Sequence, residues 1–169
     1  IGEIQEHEDL VSCAEFWGTT TLVTGAGDGT VCIWRAGDWE LLQKFRAHKA
    51  AVASFAIHPS GRLMASCGRD LRIRLWDMTR GTAAAQISTE EPAEALSWGP
   101  TGTHLSAVSP RELVVVEADK GTVATYKEAN AAGGSGIAQR VTLTAAMLLL
   151  DHAALLGDSV GVLRVLALA

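Results

Sequence analysis

Thr24-Gly-Ala-Gly-Asp28-Gly-Thr-Val-Cys-Ile-Trp34 and Ser66-Cys-Gly-Arg-Asp70-Leu-Arg-Ile-Arg-Leu-Trp76 state one pattern twice, 42 residues apart. Each has a hydroxyl residue, an Asp four positions later and a Trp six after that. His7 precedes Thr24 by 17 residues and His48 precedes Ser66 by 18, so four residue types recur in the same order. Self-similarity at a fixed period of this length marks a repeat architecture. A weaker third copy runs from Thr89 to Tyr126. In it Leu96-Ser-Trp98-Gly-Pro-Thr-Gly102 mirrors Phe55-Ala-Ile57-His-Pro-Ser-Gly61, and Leu113-Val-Val-Val116-Glu117 replaces Leu75-Trp76-Asp77; its His and Asp are missing. A fourth copy is weaker again, with strands expected over 140–146, 152–157 and 161–167, one strand short of its predecessors.

Between these landmarks the chain reads as short strands. The stretches 11–16, 20–24, 30–34 and 39–45 are brief, rich in β-branched or aromatic residues, and divided by Gly, Asp and Pro turn chemistry. Nothing has helical length, so the class is all-β. Pro59-Ser60-Gly61 and Pro100-Thr101-Gly102 each set a fixed-φ Pro two residues before a permissive Gly, as a tight turn between strands requires. Alternation fails in Cys32-Ile33-Trp34 and Leu113-Val114-Val115-Val116, which points to sheets packed on both faces. The segment 127–136, with Asn130-Ala-Ala-Gly-Gly-Ser-Gly136, has the composition of a flexible, solvated insertion. Glu3 to Glu6, with Gly2, reads as a further outer strand.

Composition narrows the function classes. The 169 residues are 48% hydrophobic and 20% charged, enough apolar material for a packed core. A net charge of −5 argues against a broad phosphate-tracking surface, since the densest basic cluster, Arg69 to Arg74, is interrupted by Asp70. Cys13, Cys32 and Cys67 are odd in number and lack C-x-x-C spacing, so neither a disulfide framework nor a zinc site is suggested and a reducing compartment fits. No signal peptide is read at the start and no apolar run reaches the roughly 18 residues of a membrane span.

The set that most resembles chemistry is His48, Ser66, Asp70 and Trp76, because it contains the members of a hydrolase triad. A nucleophile of that kind sits on a strained G-x-S-x-G elbow, whereas Ser66 follows Ala65 inside a strand pattern. The structural reading is a chain from indole N–H through hydroxyl and imidazole to carboxylate, each group relieving another of the roughly 1–3 kcal/mol cost of burial unpaired. Thr24, Asp28 and Trp34, with His7, should build the same network, and two copies of one set argue for architecture. Gly25-Ala-Gly27-Asp-Gly29 resembles a phosphate loop, but Thr30 stands where the last Gly belongs and a strand follows instead of a helix. His58 and His104 flank turns, and His152 has no partner at metal-ligand spacing. No metal, cofactor, catalytic residue or small-molecule substrate is expected. Trp17 and Trp39 lie outside the repeated Trp position and are most simply packing residues.

The His-to-Asp-to-Trp pattern together with Leu75-Trp76-Asp77 resembles the WD-repeat family. Ala47-His48-Lys49, Ile57-His-Pro-Ser-Gly-Arg62 and Asp28-Gly-Thr-Val-Cys-Ile-Trp34 are similar, more narrowly, to the PAK-interacting WD-repeat proteins. The resemblance implies a WD-repeat β-propeller of which about four blades are present, part of a seven-bladed ring, with repeats at 7–46, 47–88, 89–129 and 137–169 making a single partial propeller. It further implies a non-catalytic scaffold in the nucleolus or nucleus, acting with ribosome-assembly factors and ribosomal proteins on the precursor of the large ribosomal subunit. A second implied role is an adaptor that binds and restrains a p21-activated-type protein kinase. In such a blade the turns carrying His and Asp open on one end, which would gather Arg46, Lys49 and Arg69 beside Glu8, Asp9 and Gly27 as a mixed-charge rim for a protein partner. Arg62, Arg72, Arg74 and Arg80 are the candidates for a local contact with ribosomal RNA; no membrane contact is expected.

Overall fold

The computed structural model describes residues 3–117, 121–127, 143–150, 153–159 and 162–167. Most of the expected insertion at 127–136, the ends of the third repeat and the beginning of the fourth, His152 and Gly161 lie outside the described residues. Among the described residues every regular element is a strand. The strands are β1 (Val11–Trp17), β2 (Thr21–Ala26), β3 (Thr30–Arg35), β4 (Leu41–Arg46), β5 (Val52–Ile57), β6 (Leu63–Gly68), β7 (Arg72–Asp77) and β8 (Thr82–Ser88) in the first half. They continue as β9 (Ala95–Trp98), β10 (His104–Val108), β11 (Glu112–Glu117), β12 (Gly121–Lys127), β13 (Leu143–Leu150), β14 (Ala153–Asp158) and β15 (Leu163–Ala167).

Consecutive strands pair, giving sheets β1-β2-β3-β4, β5-β6-β7-β8 and β9-β10-β11-β12, and a three-stranded sheet β13-β14-β15. The ladders are antiparallel meanders, for which turns of a few residues suffice. Glu3 to Glu6, expected as an outer strand, form none. Trp39, expected to open a strand, sits in the turn before β4.

The chain divides into two compact units, Ile1–Leu96 and Ser97–Ala169. In the first unit the inner strands are the buried ones: β3 buries Val31 to Trp34 and β6 buries Met64 to Gly68, whereas β8 is largely exposed. Two faces of apolar side chains meet between the first two sheets. Val23, Val31 and Ile33 pack with Val52, Phe55, Met64 and Trp76, and Cys13, Trp17 and Phe45 close the edges of that core. The rings of Phe45 and Trp76 lie 4.7 Å apart at 50°, a tilted aromatic pair. Burial on both sides explains the broken alternation of Cys32-Ile33-Trp34. In the second unit Val108, Leu113 and Val115 pack with Leu143, Ala154 and Leu156.

Backbone hydrogen bonds repeat with the sequence. Ala36 N donates to Thr20 O and Met78 N to Arg62 O; Trp39 N donates to Arg35 O and Gly81 N to Asp77 O. The two sheets therefore align residue for residue at their turns, and the alignment exposes two exchanges. Gly29, at φ +81°, corresponds to Leu71 at +61°, and Trp39, at +60°, corresponds to Gly81 at +64°. A left-handed L-residue costs about 1–2 kcal/mol relative to its right-handed form, so the fold holds this geometry even where a bulky side chain must adopt it.

Leu71 is 39% exposed, so more than half of its surface is covered. Replacing Leu71 with Gly is expected to change stability by less than about 1 kcal/mol, because the relief of strain is offset by the entropy of an added Gly and the lost burial. The mirror change Gly29→Leu should cost at least about 2 kcal/mol, because its side chain would run into His48 O as well as bear the strain. The urea denaturation midpoint should fall far for Gly29→Leu and move little for Leu71→Gly.

Candidate functional site

The hairpin register explains the ten-residue spacing between hydroxyl and Trp. Ser66 pairs with Arg74 and Met64 with Trp76, which places Trp76 two residues beyond the partner of Ser66 and therefore on the same face. Trp76 Nε1–H donates to Ser66 Oγ at 2.9 Å. Thr24 pairs with Cys32 and Leu22 with Trp34, and Trp34 Nε1–H donates to Thr24 Oγ1, also at 2.9 Å. An indole N–H can only donate, so each hydroxyl accepts from Trp and directs its own proton elsewhere.

In the second sheet that proton goes to His48 Nε2, 2.8 Å from Ser66 Oγ. His48 is then protonated at Nδ1, which donates to Asp70 Oδ1 at 2.8 Å. Asp70 Oδ2 accepts from Lys49 N at 3.1 Å and from Arg74 Nη1 at 2.9 Å. His48 is carried to this position by the β4–β5 connection: Ala47 N and His48 N both donate to Gly29 O of the first sheet. Gly68 leaves room for the ring, since a Cβ there would stand 2.5 Å from His48 Cγ.

The first sheet builds a longer path. His7 Nε2 accepts from Thr24 Oγ1 at 2.7 Å, but His7 Nδ1 lies 3.8 Å from Asp28 Oδ2. Thr30 fills the gap, accepting from Nδ1 at 2.9 Å and donating to Asp28 Oδ1 at 2.6 Å. Asp28 also accepts from Thr30 N and Glu8 N. The two networks are thus not identical, and sequence spacing missed both Thr30 and Arg74. It also missed Asp158 in the fourth sheet, whose buried carboxylate takes Arg164 Nη1 at 2.8 Å and Val162 N at 2.8 Å.

Burial pushes His48 below its ordinary value, against the opposing pull of Asp70, and Arg74 pushes the same way as burial. Burial alone would raise Asp70, but hydrogen bonds from His48, Lys49 N and Arg74 prevail and hold it at about 2. Asp28 is likewise held at about 2, burial being outweighed by its bonds from Thr30 and Glu8 N. Ser66 is fully buried and its hydroxyl is committed to Trp76 and His48, so it offers no face to a substrate. The cysteine thiols are no better suited to attack: burial raises Cys32 to about 11 and Cys67 to about 12. Among the described residues no group of three or more His, Cys, Asp and Glu could hold a metal, and no helix is long and apolar enough to cross a membrane.

Above the networks, where the β2–β3 and β6–β7 turns share one end of the sheets, lies a groove of about 500 Å³. Asp9, Gly27 and Arg69 of the expected rim line it, joined by Leu10, Ala51 and Glu94. Leu10 is 78% exposed, and neither it nor Glu94 was foreseen from spacing. An added Cβ at Gly27 would fall 2.6 Å from Asp9 Oδ2, so the exposed Asp9 side chain would have to turn aside. Glu8, Arg46 and Lys49 are exposed but lie outside the groove lining; Glu8 N and Lys49 N serve the two Asp carboxylates, and Arg46 Nε reaches His48 O at 3.3 Å. Trp17 packs against the core, whereas Trp39 is 47% exposed and differs from the packing residue expected.

Ser66→Ala strands the Trp76 N–H and His48 Nε2, and should cost about 2–4 kcal/mol in denaturant, against roughly 1 for Ser66→Thr. Stability should also fall with acid in two windows. As pH drops below 6.5 the unfolded imidazoles of His48 and His7 bind protons before the folded ones do. Between pH 3.8 and about 2 the same holds for Asp70 and Asp28. Equilibrium unfolding across pH 2–8 should show both descents, with the lower one reduced in Asp70→Asn.

The WD domain, G-beta repeat family matches residues 1–35 and 39–77. The chain is 35% identical over 122 residues to a p21-activated protein kinase-interacting protein 1-like of Danio rerio, covering 72% of this chain and 33% of that protein. It is 40% identical over 101 residues to the protein of the same name from Xenopus laevis, covering 60% and 28%. The chain thus spans about a third of the length of these curated relatives. Among solved structures, U3-55K superposes with a TM-score of 0.80 at 17% identity, over 95% of this chain and 50% of that one; at that identity the likeness speaks for the fold. With sheets of four antiparallel strands and a hydroxyl–His–Asp–Trp network in each of the first two, the chain is a WD-repeat β-propeller protein, similar to the p21-activated protein kinase-interacting protein 1-like proteins.

Proposed function

We propose that this WD-repeat scaffold acts without catalysis in nucleolar assembly of the large ribosomal subunit precursor, docking protein partners on the rim of its first two repeats, 7–46 and 47–88. The observation that carries the docking reading is Arg69. It is exposed in an apolar-floored groove that Asp9 and Glu94 also line, and among the described residues its guanidinium has no ion-pair partner. A cation in one groove with two carboxylates and the exposed Leu10 can select a partner by charge while apolar contact supplies affinity. The remaining rim charges, Arg46, Lys49 and Glu8, would steer approach more than they hold a complex. The polar sets that resemble an active site are consumed by architecture, which supports a role in binding alone. Assembly factors and ribosomal proteins of the large-subunit precursor are the partners this reading assigns, with a nuclear or nucleolar location.

A second reading is favoured by the name the relatives carry: an adaptor that binds and restrains a p21-activated-type kinase through the same groove. Affinity purification of the protein from cells, followed by sedimentation and identification of bound protein and RNA, separates the two. Recovery with large-subunit proteins and precursor RNA is expected. A kinase recovered without ribosomal material would overturn the assembly role and leave the adaptor. In either case Arg69→Glu should weaken capture several-fold while leaving the denaturation midpoint unchanged; undiminished capture would remove this groove as the docking face.

A further inference from the structure

Four arginines were candidates for RNA contact, and the structure separates them. Arg74 is 15% exposed at its side chain and committed to Asp70. Arg72 bonds Ser88 Oγ. Arg62 and Arg80 instead converge at the opposite end of the second sheet from the rim, where the β5–β6 and β7–β8 turns adjoin. Together with Ser60, Leu63, Asp77 and Thr79 they line an open groove of about 600 Å³.

We propose that this groove binds the phosphodiester backbone of RNA, with the guanidinium groups of Arg62 and Arg80 as the phosphate contacts. Arg62 is exposed and has no ion-pair partner among the described residues, and Arg80, 81% exposed, makes only a long ion pair with Asp77 at 3.8 Å. Their backbones, by contrast, are fixed. Met78 N donates to Arg62 O at 2.9 Å, fastening one turn to the other. Asp77 Oδ1 accepts from Thr79 N and Arg80 N, and Ser60 N donates to His58 Nδ1 at 3.0 Å.

The first sheet supplies an internal control. The matching backbone bonds place Thr20 where Arg62 stands and Asp38 where Arg80 stands, and the cation nearby, Arg35, is bonded to Asp38 and Glu40. Whatever the blade needs in order to fold it has in both sheets, so the arginine pair of the second is surplus to architecture. The charge of the groove favours a diester over a phosphorylated side chain. Two guanidinium groups against the Asp77 carboxylate leave a single net positive charge, which suits a monoanion and leaves a dianion half-compensated. None of the described residues lining the groove is aromatic, so the lining offers a base no ring to stack on, and the proposed contact is with the backbone.

The reading concerns RNA contact alone and does not depend on which protein occupies the rim; binding of purified components and cellular sedimentation can fail separately. Fluorescence anisotropy of a labelled single-stranded 12-nucleotide RNA, titrated with the whole protein between 50 and 200 mM salt, is the test. Saturable binding is expected, weakened several-fold by Arg62→Ala or Arg80→Ala and abolished by the pair. Each single change should lessen the slope of log affinity on log salt by roughly 0.7, the single-strand value for one phosphate contact. Arg111→Ala, which removes the same charge elsewhere, should bind like the parent, and circular dichroism melts confirm that the variants fold. No binding by the parent, equal binding by the double variant, or tighter binding of a phosphoserine peptide than of the RNA would each overturn the proposal.

Discussion

Four polar side chains that cannot be left unpaired govern the second sheet. Once β6 and β7 are buried on both faces, the indole N–H of Trp76 must find an acceptor, and Ser66 is the one within reach. The hydroxyl must then pass its proton to His48, which must pass its own to Asp70. Each requirement forces the next, and together they fix the β4–β5 connection and the β6–β7 turn to the strands beneath. In this arrangement the fully buried Ser66 is a satisfied acceptor, which is why a set with the composition of a triad has no route to chemistry.

The two repeats solve this problem with different chemistry. Thr30 carries the signal from His7 to Asp28, whereas His48 meets Asp70 directly and Arg74 takes up the second carboxylate oxygen. Both carboxyls end at about 2, against the cost of burial, because two or more donors serve each of them. A functional surface is then free to differ between repeats, since the polar cores are already complete. The rim groove draws on both repeats and on the segment Pro92 to Glu94 that follows them, and the arginine groove on the second repeat alone.

Much of the fold was legible because the period of 42 residues places each network member where only a meander of short strands can join it to the others. The turns signalled by Asp28, Pro59-Ser60-Gly61 and Asp70 lie between strands as their chemistry requires. What stayed hidden depends on side-chain reach and not on spacing. Thr30 carries no mark distinguishing a relay from an ordinary strand residue, and Glu94 joins Arg69 only because a later segment returns to the groove. Arg62 and Arg80 are 18 residues apart and become neighbours through one backbone bond between turns. Trp39 misled because its αL position is filled by Gly81 in the second copy, and propensity would not put a Trp there.

The β4–β5 connection has a consequence for motion. His48 is held at its backbone by Gly29 O of the first sheet and at its ring by Ser66 and Asp70 of the second. Parting the sheets would therefore break the polar chain of one and the turn of the other in the same event. The cooperative unit that opens to solvent should accordingly be the pair, with amide protons of β3 and β6 expected to share one protection free energy although no ladder joins those strands.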